Sequence, residues 1–411
     1  MASKRVMIRI GDIGRVVTGK TPPTADTENY GGKLPFITPS DMDGNKYIYR
    51  TARTISEKGA KPLKNLHVPP KTVFVSCIGS DMGKVGMTRV ESVTNQQINS
   101  IVVKNGIDPD YIYYNLYSRK NEFQRLATSG SAQPILNKGH FSQLKIILPT
   151  IAEQRAIARV LGTLDEKIEL NKKMNEILEA MARAIFKSWF IDFDPVHAKA
   201  KGRDPKLPKQ ITDLFPDSFE QSQLGEIPKG WRGETLGSIL ELAYGKGLRE
   251  QDRRLGYIPV HGSNGQVGWH DKKLVDGPGI IVGRKGNPGI VTWSHTDFYP
   301  IDTTFYVVPK QKELSLYYLF YALQLQDLPS LNADSAVPGL NRHLAYMNLQ
   351  VVPENKVVKI FDAFVIPVYK KIFKNEQEIS ILAAIRDTLL PKLLSGEIRI
   401  KDTEKFAEAT I

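Results

Sequence analysis

The sequence predicts an α+β fold: two similar α/β domains related by a pseudo-twofold axis, separated by two long helices packed as an antiparallel coiled coil. Three observations carry this. The chain matches itself at a constant offset of 204 residues. Each copy ends in a long stretch with coiled-coil spacing. A segment rich in proline, lysine and aspartate joins the copies.

The repeat is clearest where SAQPILNK (Ser131–Lys138) falls on SAVPGLNR (Ser335–Arg342), with five of eight positions identical. At the same offset Tyr113-Tyr114 falls on Tyr317-Tyr318, Gly79 on Gly283, Thr88 on Thr292, Asn171 on Asn375 and Leu178 on Leu382. A period this large is a domain duplication, not a solenoid. It divides the chain into a first domain (1–148), a first long helix (149–191), a connector (192–230), a second domain (231–353), a second long helix (354–395) and a tail (396–411).

Inside each domain, short β-rich runs recur: KTVFVSCI, VGMTRV and INSIVV in the first copy, GIIVGRKG, GIVTWS and TTFYVV in the second. The tyrosine-rich stretches that follow, YIYYNLYS and LYYLFYALQ, read as the buried face of a helix rather than a base-stacking surface.

The long helices show alternating steps of four and three residues, the spacing of a coiled-coil seam. In the first the seam runs through Leu161, Leu164, Ile168, Asn171, Asn175, Leu178 and Ile185. In the second it runs through Val365, Val368, Ile372, Asn375, Leu382 and Leu389. A buried asparagine in such a seam is costly and fixes register or partner, so antiparallel packing about a pseudo-twofold axis predicts that Asn171 and Asn375 face each other. Leu170, Met174, Ile177 and Met181 lie off this seam, which predicts a surface for partners. The connector, Asp192 to Trp231, reads as irregular chain that begins before Pro195, where the helix must stop. Its Asp192, Asp194 and His197 read as a charged helix exit rather than a metal site.

The chemistry of the chain is defined largely by exclusion. It has 411 residues, a net charge of +12 and one cysteine, Cys77. The charge points to a polyanionic partner. The lone cysteine, in the apolar run VFVSCIG, reads as a core residue in a reducing compartment. Without a signal peptide or a membrane-length apolar run, the expectation is a soluble, cytoplasmic protein. No zinc-protease, nucleophile-elbow or dinucleotide motif is present, and no Asn- or Asp-Pro-Pro-aromatic motif of a DNA amino-methyltransferase. One catalytic pattern does match: GRVVTGKT, Gly14–Thr21, fits the phosphate loop of nucleotide hydrolases. Its context fails. A phosphate loop must run into a helix whose N-terminal amides face the phosphates, whereas Thr21 is followed by Pro22-Pro23.

The segment PTIAEQRAIARVLGTLDEKIELNKKMNEILEAMARAIFKSWFIDFDPV (Pro149–Val196) resembles the first helical region of type I restriction–modification specificity subunits. LPKQITDLFPDSFEQSQLGEIPKGW (Leu207–Trp231) resembles that family's connector, RDTLLPKLLSGEIRI (Arg386–Ile400) its C-terminal end, and TGKTPP (Thr18–Pro23) a turn near the start of its recognition domains. The second helix lacks the Pro-x-x-x-Glu-Gln-Arg start found at Pro149, Glu153, Gln154 and Arg155, so partner contacts at the two helix starts are expected to differ. The resemblance implies a subunit that does no chemistry and holds no cofactor or metal. Its two domains would be target recognition domains, each reading half of a bipartite double-stranded DNA site. The helices would set the spacer and dock two modification subunits, the methyltransferases. ATP-dependent restriction subunits, translocases and nucleases, would join through the complex. The rival classes, a phosphate-loop NTPase, a self-contained DNA methyltransferase or a coiled-coil adaptor that ignores DNA, are disfavoured.

DNA contacts need Arg, Lys, Asn, Gln, Ser or Thr on loops that reach base edges or phosphates. The first domain offers Lys20, Thr21, Lys84, Ser131, Gln133, Asn137 and Lys138. The second offers Lys246, Arg249, Arg253, Arg254, Arg284, Lys285 and Arg342, with Arg284-Lys285 in IIVGRKGNPG the best local signal because glycines allow close approach. The shared SA-x-P-x-LN-K/R segment is expected to be structural or to touch phosphate, since the two domains should read different bases.

Overall fold

In a computed structural model of the chain, the structure describes residues 5–127, 135–331 and 339–400. The chain forms two compact units, one of Met1–Lys172 with Gln377–Ile411 and one of Lys173–Glu376. Each unit therefore contains a globular part and a portion of both long helices.

The globular part of the first unit is built on a four-stranded sheet in the order Gly14–Thr18, Ile98–Val103, Val73–Ser76, Val85–Met87. Beside it is a three-stranded sheet in the order Arg53–Ile55, Tyr30–Ile37, Val93–Thr94, antiparallel in its first pairing and parallel in its second. Val6–Arg9 pairs with Lys145–Leu148 where the chain enters and leaves the domain. The second unit repeats this plan. Its four-stranded sheet runs Leu240–Tyr244, Thr304–Pro309, Gly279–Gly283, Val291–Ser294. Its three-stranded sheet runs Gly265–His270, Ile258–Gly262, Tyr299–Pro300, and Arg232–Thr235 pairs with Leu349–Val352.

The runs read as strands are interior: VFVS at Val73–Ser76 and GIIVG at Gly279–Gly283 are buried at every position. Cys77 joins the first core, and burial pushes its thiol up to about 12, so it is an inert thiol at neutral pH. The tyrosine-rich stretches are helices, Pro109–Tyr117 and Leu316–Leu325. Asp108 caps the first by accepting from Tyr111 N at 2.9 Å, and Ser315 caps the second by accepting from Tyr318 N at 3.1 Å. Tyr111, Tyr113, Tyr114, Tyr318 and Tyr321 are buried, as core packing requires.

The long helices span Ile151–Phe190 and Asn355–Ser395. The second stays helical through Pro367 and Pro391, so packing outweighs the local cost of proline. In the first unit they meet antiparallel: Arg386 Nη1 donates to Asp165 Oδ1 at 2.7 Å, and Asn171 Nδ2 to Glu378 Oε2 at 3.0 Å. In the second unit they meet in the same sense, with Phe186 and Phe361 ring centroids 5.6 Å apart and Asn375 Nδ2 donating to Asn175 Oδ1 at 2.7 Å. Asn375 thus pairs with Asn175 and not with Asn171. The register differs by one helical turn from the expected one, and it gives each of the three asparagines a polar partner, while Asn375 Oδ1 stays buried without one. Of the seam residues, Leu161, Ile168, Asn171, Val365, Ile372 and Asn375 are buried, while Leu164, Leu178, Ile185, Val368, Leu382 and Leu389 are half-buried.

The connector is more ordered than its composition suggests. Phe193 has a positive φ of 52°, which turns the chain into a short helix, Asp194–Ala200, with Pro195 in its first turn. A hairpin follows, Phe219–Ser222 with Gly225–Pro228. Val196, Phe215 and Trp231 pack with Trp189 and Phe190 in the second unit's core. These apolar side chains anchor the segment despite its polar average. Asp192 pairs with Lys187, Asp194 Oδ2 accepts from Ser188 Oγ, and His197 packs on Phe219, so none of the three is arranged around a common point.

Candidate nucleic-acid interface

GRVVTGKT does not form a phosphate loop. Gly14–Thr18 is a sheet strand that pairs with Ile98–Val103, and no helix starts at Thr21. Its glycines are there for a different reason. A Cβ at Gly14 would overlap the Val102 carbonyl, and one at Gly19 would overlap the Thr94 carbonyl. After the strand the chain turns, and Lys20 N donates to Thr94 O at 3.0 Å. The second unit contains the same turn. A Cβ at Gly245 would overlap the Ile301 carbonyl, and Lys246 N donates to Pro300 O at 3.0 Å. Lys20 and Lys246 are both exposed at these tight glycine turns.

In the first unit, Thr21 Oγ1 donates to Gln96 Oε1 at 2.7 Å. Lys84 is already engaged, with Asp81 at 2.8 Å and the Pro39 carbonyl at 3.2 Å. Ser131 and Gln133 lie outside the described residues. Asn137 is a helix cap: its Oδ1 accepts from His140 N at 2.9 Å, opening Lys138–Gln143. Asn341 does the same in the second unit, accepting from His343 N at 3.1 Å and Leu344 N at 3.2 Å. This shared cap, together with buried Leu136 and Leu340, explains why both copies keep the LN pair.

In the second unit, Arg253 Nη1 donates to the Val267 carbonyl at 2.7 Å and Arg254 pairs with Asp271 at 2.9 Å. Arg249 and Lys285 are exposed. Arg284 and Arg342 come together. Lys285 bridges to Gly339 and Leu340 N donates to the Arg284 carbonyl at 2.9 Å, which lays the segment before Arg342 beside Arg284. Both guanidiniums then sit over one ring, that of Tyr244: Arg284 at 4.9 Å from its centroid and Arg342 at 4.7 Å. Tyr244 is 51% exposed and was missed from sequence. The available signal was its place immediately before the Gly245-Lys246 turn, where the first copy has Thr18. Among the described residues, Lys20, Lys138, Lys246, Arg249, Arg284, Lys285 and Arg342 have no carboxylate partner, which leaves their charge available to phosphate.

The helix-start residues behave differently from the candidates above. Gln154 is buried, donating to the Pro149 carbonyl at 2.9 Å and accepting from Asp108 N at 3.0 Å. Glu153 accepts from Arg5 Nη2 at 2.7 Å. Both residues hold their own unit together, and Arg155 remains exposed. Leu170 is exposed in the first unit, as are Met174, Ile177 and Met181 in the second. Among the described residues, no group of three or more His, Cys, Asp or Glu is arranged to hold a metal ion, and no helix is long and apolar enough to cross a membrane.

The class defined by this arrangement is an internally duplicated α+β chain on paired long helices, with a basic glycine turn in each copy. Comparison with known proteins is specific. Residues 3–180 match the family model "Type I restriction modification DNA specificity domain". The chain is 30% identical to the type I restriction enzyme MjaIX specificity subunit of Methanocaldococcus jannaschii, over 96% of this chain and 93% of that one. It is 25% identical to the HindI specificity subunit of Haemophilus influenzae, over 95% and 98% of the two chains. A crystal structure of a type I restriction–modification S subunit from M. genitalium matches the fold with a TM-score of 0.58 at 20% identity, over 95% of this chain and 96% of that one. The chain belongs to the family of type I restriction enzyme specificity subunits.

Proposed function

We propose that this chain is the non-catalytic, DNA-reading subunit of a type I restriction–modification complex. Its two globular parts each read one half of a bipartite target on double-stranded DNA, and the long helices set the spacer. The observation that carries the reading is the duplication: both globular parts repeat one strand order and present one lysine turn, Lys20 and Lys246, as two half-site readers should. Family membership supplies the partners, DNA with methyltransferase and restriction subunits. We assign two modification subunits, one for each half of the duplicated chain. Met174, Ile177 and Met181, exposed on the first long helix within the second unit, are the surface assigned to one of them, because exposed apolar side chains recurring on one helix are suited to burial by a partner. On this reading the partners supply the nucleotide and methyl-donor chemistry, and the chain's one nucleotide-type motif serves as a sheet strand.

The test is methylome sequencing of a host carrying this subunit with its modification partner, alongside labelled ATP and S-adenosylmethionine binding to the isolated chain. A methylated bipartite motif and no stoichiometric ligand binding are expected. Tight binding of either ligand by the isolated chain, or modification without a two-part motif, overturns the reading.

A further inference from the structure

We propose that Tyr244 is a specificity-determining residue, whose ring holds the guanidiniums of Arg284 and Arg342 so that they read a G·C pair in the half-site bound by the second unit. This rests on the DNA-reading function proposed above.

The sheet register sets Tyr244 opposite Phe305, and the two rings lie 5.0 Å apart. Phe305 is buried, so the Tyr244 ring has a fixed support on its inner side while half its surface faces solvent. The guanidinium carbons of Arg284 and Arg342 lie 4.9 and 4.7 Å from the centroid of that ring. Each is also tethered by one hydrogen bond to a backbone carbonyl, Arg284 Nη1 to Asp302 O at 2.9 Å and Arg342 Nη1 to Leu242 O at 3.3 Å. A guanidinium has five N–H donors in a planar fork. The ring contact and the tether, which uses one donor, both restrain the fork, so the remaining donors are confined beside the ring. Neither arginine has a carboxylate partner among the described residues.

A phosphate contact needs charge but little orientation, and a flexible lysine supplies it. A fork held against a ring and tethered is suited to two acceptors at fixed spacing. In the major groove that pair is guanine O6 and N7, the commonest partner of arginine. The geometry therefore points to a base rather than to the backbone.

The first unit lacks this device at the same places. Its register sets Thr18 opposite Asn99, and Thr18 Oγ1 donates to Asn99 Oδ1 at 2.6 Å. The strand registers correct the expected match of Gly79 with Gly283: they set Ser76 against Gly283 and Cys77 against Arg284, because the 204 offset does not hold through the strands. The Cys77 carbonyl takes Leu136 N at 2.9 Å as the Arg284 carbonyl takes Leu340 N. Cys77 is buried, and Lys138 stands where the repeat places Arg342. One backbone frame thus presents an aromatic–arginine cluster in one unit and a threonine, a buried cysteine and a lysine in the other. The two half-sites should differ at the base these positions face.

The experiment is binding-site selection with the full chain assembled with its modification subunit, using Tyr244→Ala, Tyr244→Phe, Arg284→Lys and Arg342→Lys. The Ala variant and at least one Lys variant should lose guanine preference at one position by about tenfold or more, with the other half-site unchanged. Tyr244→Phe keeps the ring and should select the original site. The Lys variants keep the charge, so their salt dependence should stay near that of the parent. Unchanged base preferences in Tyr244→Ala and both Lys variants, with or without a uniform drop in affinity, overturn the proposal and leave a phosphate contact at most. A parent complex that selects no bipartite site overturns the DNA-reading function itself, and this inference with it.

Discussion

Asn375 donates its side-chain amide to Asn175 Oδ1 at 2.7 Å between the two long helices, inside the core of the second unit. Asn375 is fully buried, and Asn175 Nδ2 also donates to the Ile372 carbonyl at 3.4 Å. A pair of this kind specifies one register at the expense of apolar packing. Asn375→Ala should strand the Asn175 carbonyl and cost about 1–3 kcal/mol, read as a lower Tm. The Asn175→Leu/Asn375→Leu double variant should recover most of that loss. A Tm in Asn375→Ala equal to that of the parent would show that the pair contributes no stability.

Gly19 and Lys20 are neighbours with separable roles. Gly19→Ala forces a Cβ into the Thr94 carbonyl and should destabilise the first unit by more than about 2 kcal/mol in denaturant unfolding. Lys20→Ala should leave stability within about 0.5 kcal/mol, because the side chain is exposed. It should instead weaken DNA binding by the assembled complex and reduce the salt slope by about 1. Unchanged affinity in Lys20→Ala removes the DNA role of this turn.

Acid should weaken the second unit first through His261 and His295. Burial holds both imidazoles down at about 4, against 6.5 when unfolded. Each is neutral in the folded unit, so its contribution is intact above about 6.5 and is lost as the pH falls towards about 4, by up to about 3 kcal/mol each. Glu376, 3.6 Å from His295, runs the other way: burial raises its carboxyl, so its protonation favours the folded unit and offsets part of the loss. Denaturant titrations at pH 7.5 and 4.5 should show the loss, and His261→Phe should reduce it. Identical midpoints at the two pH values would contradict the assignment.

The helices should act as a ruler. One heptad inserted into each keeps the seam in phase and adds about 10 Å of helix. That corresponds to about 3 base pairs, so sites selected by the variant complex should carry a longer spacer. An unchanged spacer would sink the ruler.

Much of the architecture was legible because the signals are periodic or repeated. The offset of 204 residues and the seam spacing survive without knowledge of any contact. Pro22-Pro23 was enough to reject a phosphate loop, since proline chemistry is local. The site was less legible. Lys84 and Arg254 look like free cations in sequence, yet carboxylates distant or near in the chain already hold them. Asn137, in the shared segment expected to be structural or to touch phosphate, serves as a helix cap.

By itself, then, the sequence determined the duplication, the two long helices, the buried tyrosine helices and the family, because each follows from spacing or identity along the chain. The tertiary structure alone decided that Asn375 meets Asn175, that Gly19 and Gly245 are required by facing carbonyls, and that Tyr244 gathers Arg284 and Arg342. Those relations join residues from 40 to 200 positions apart, and only strand register and helix register bring them into contact.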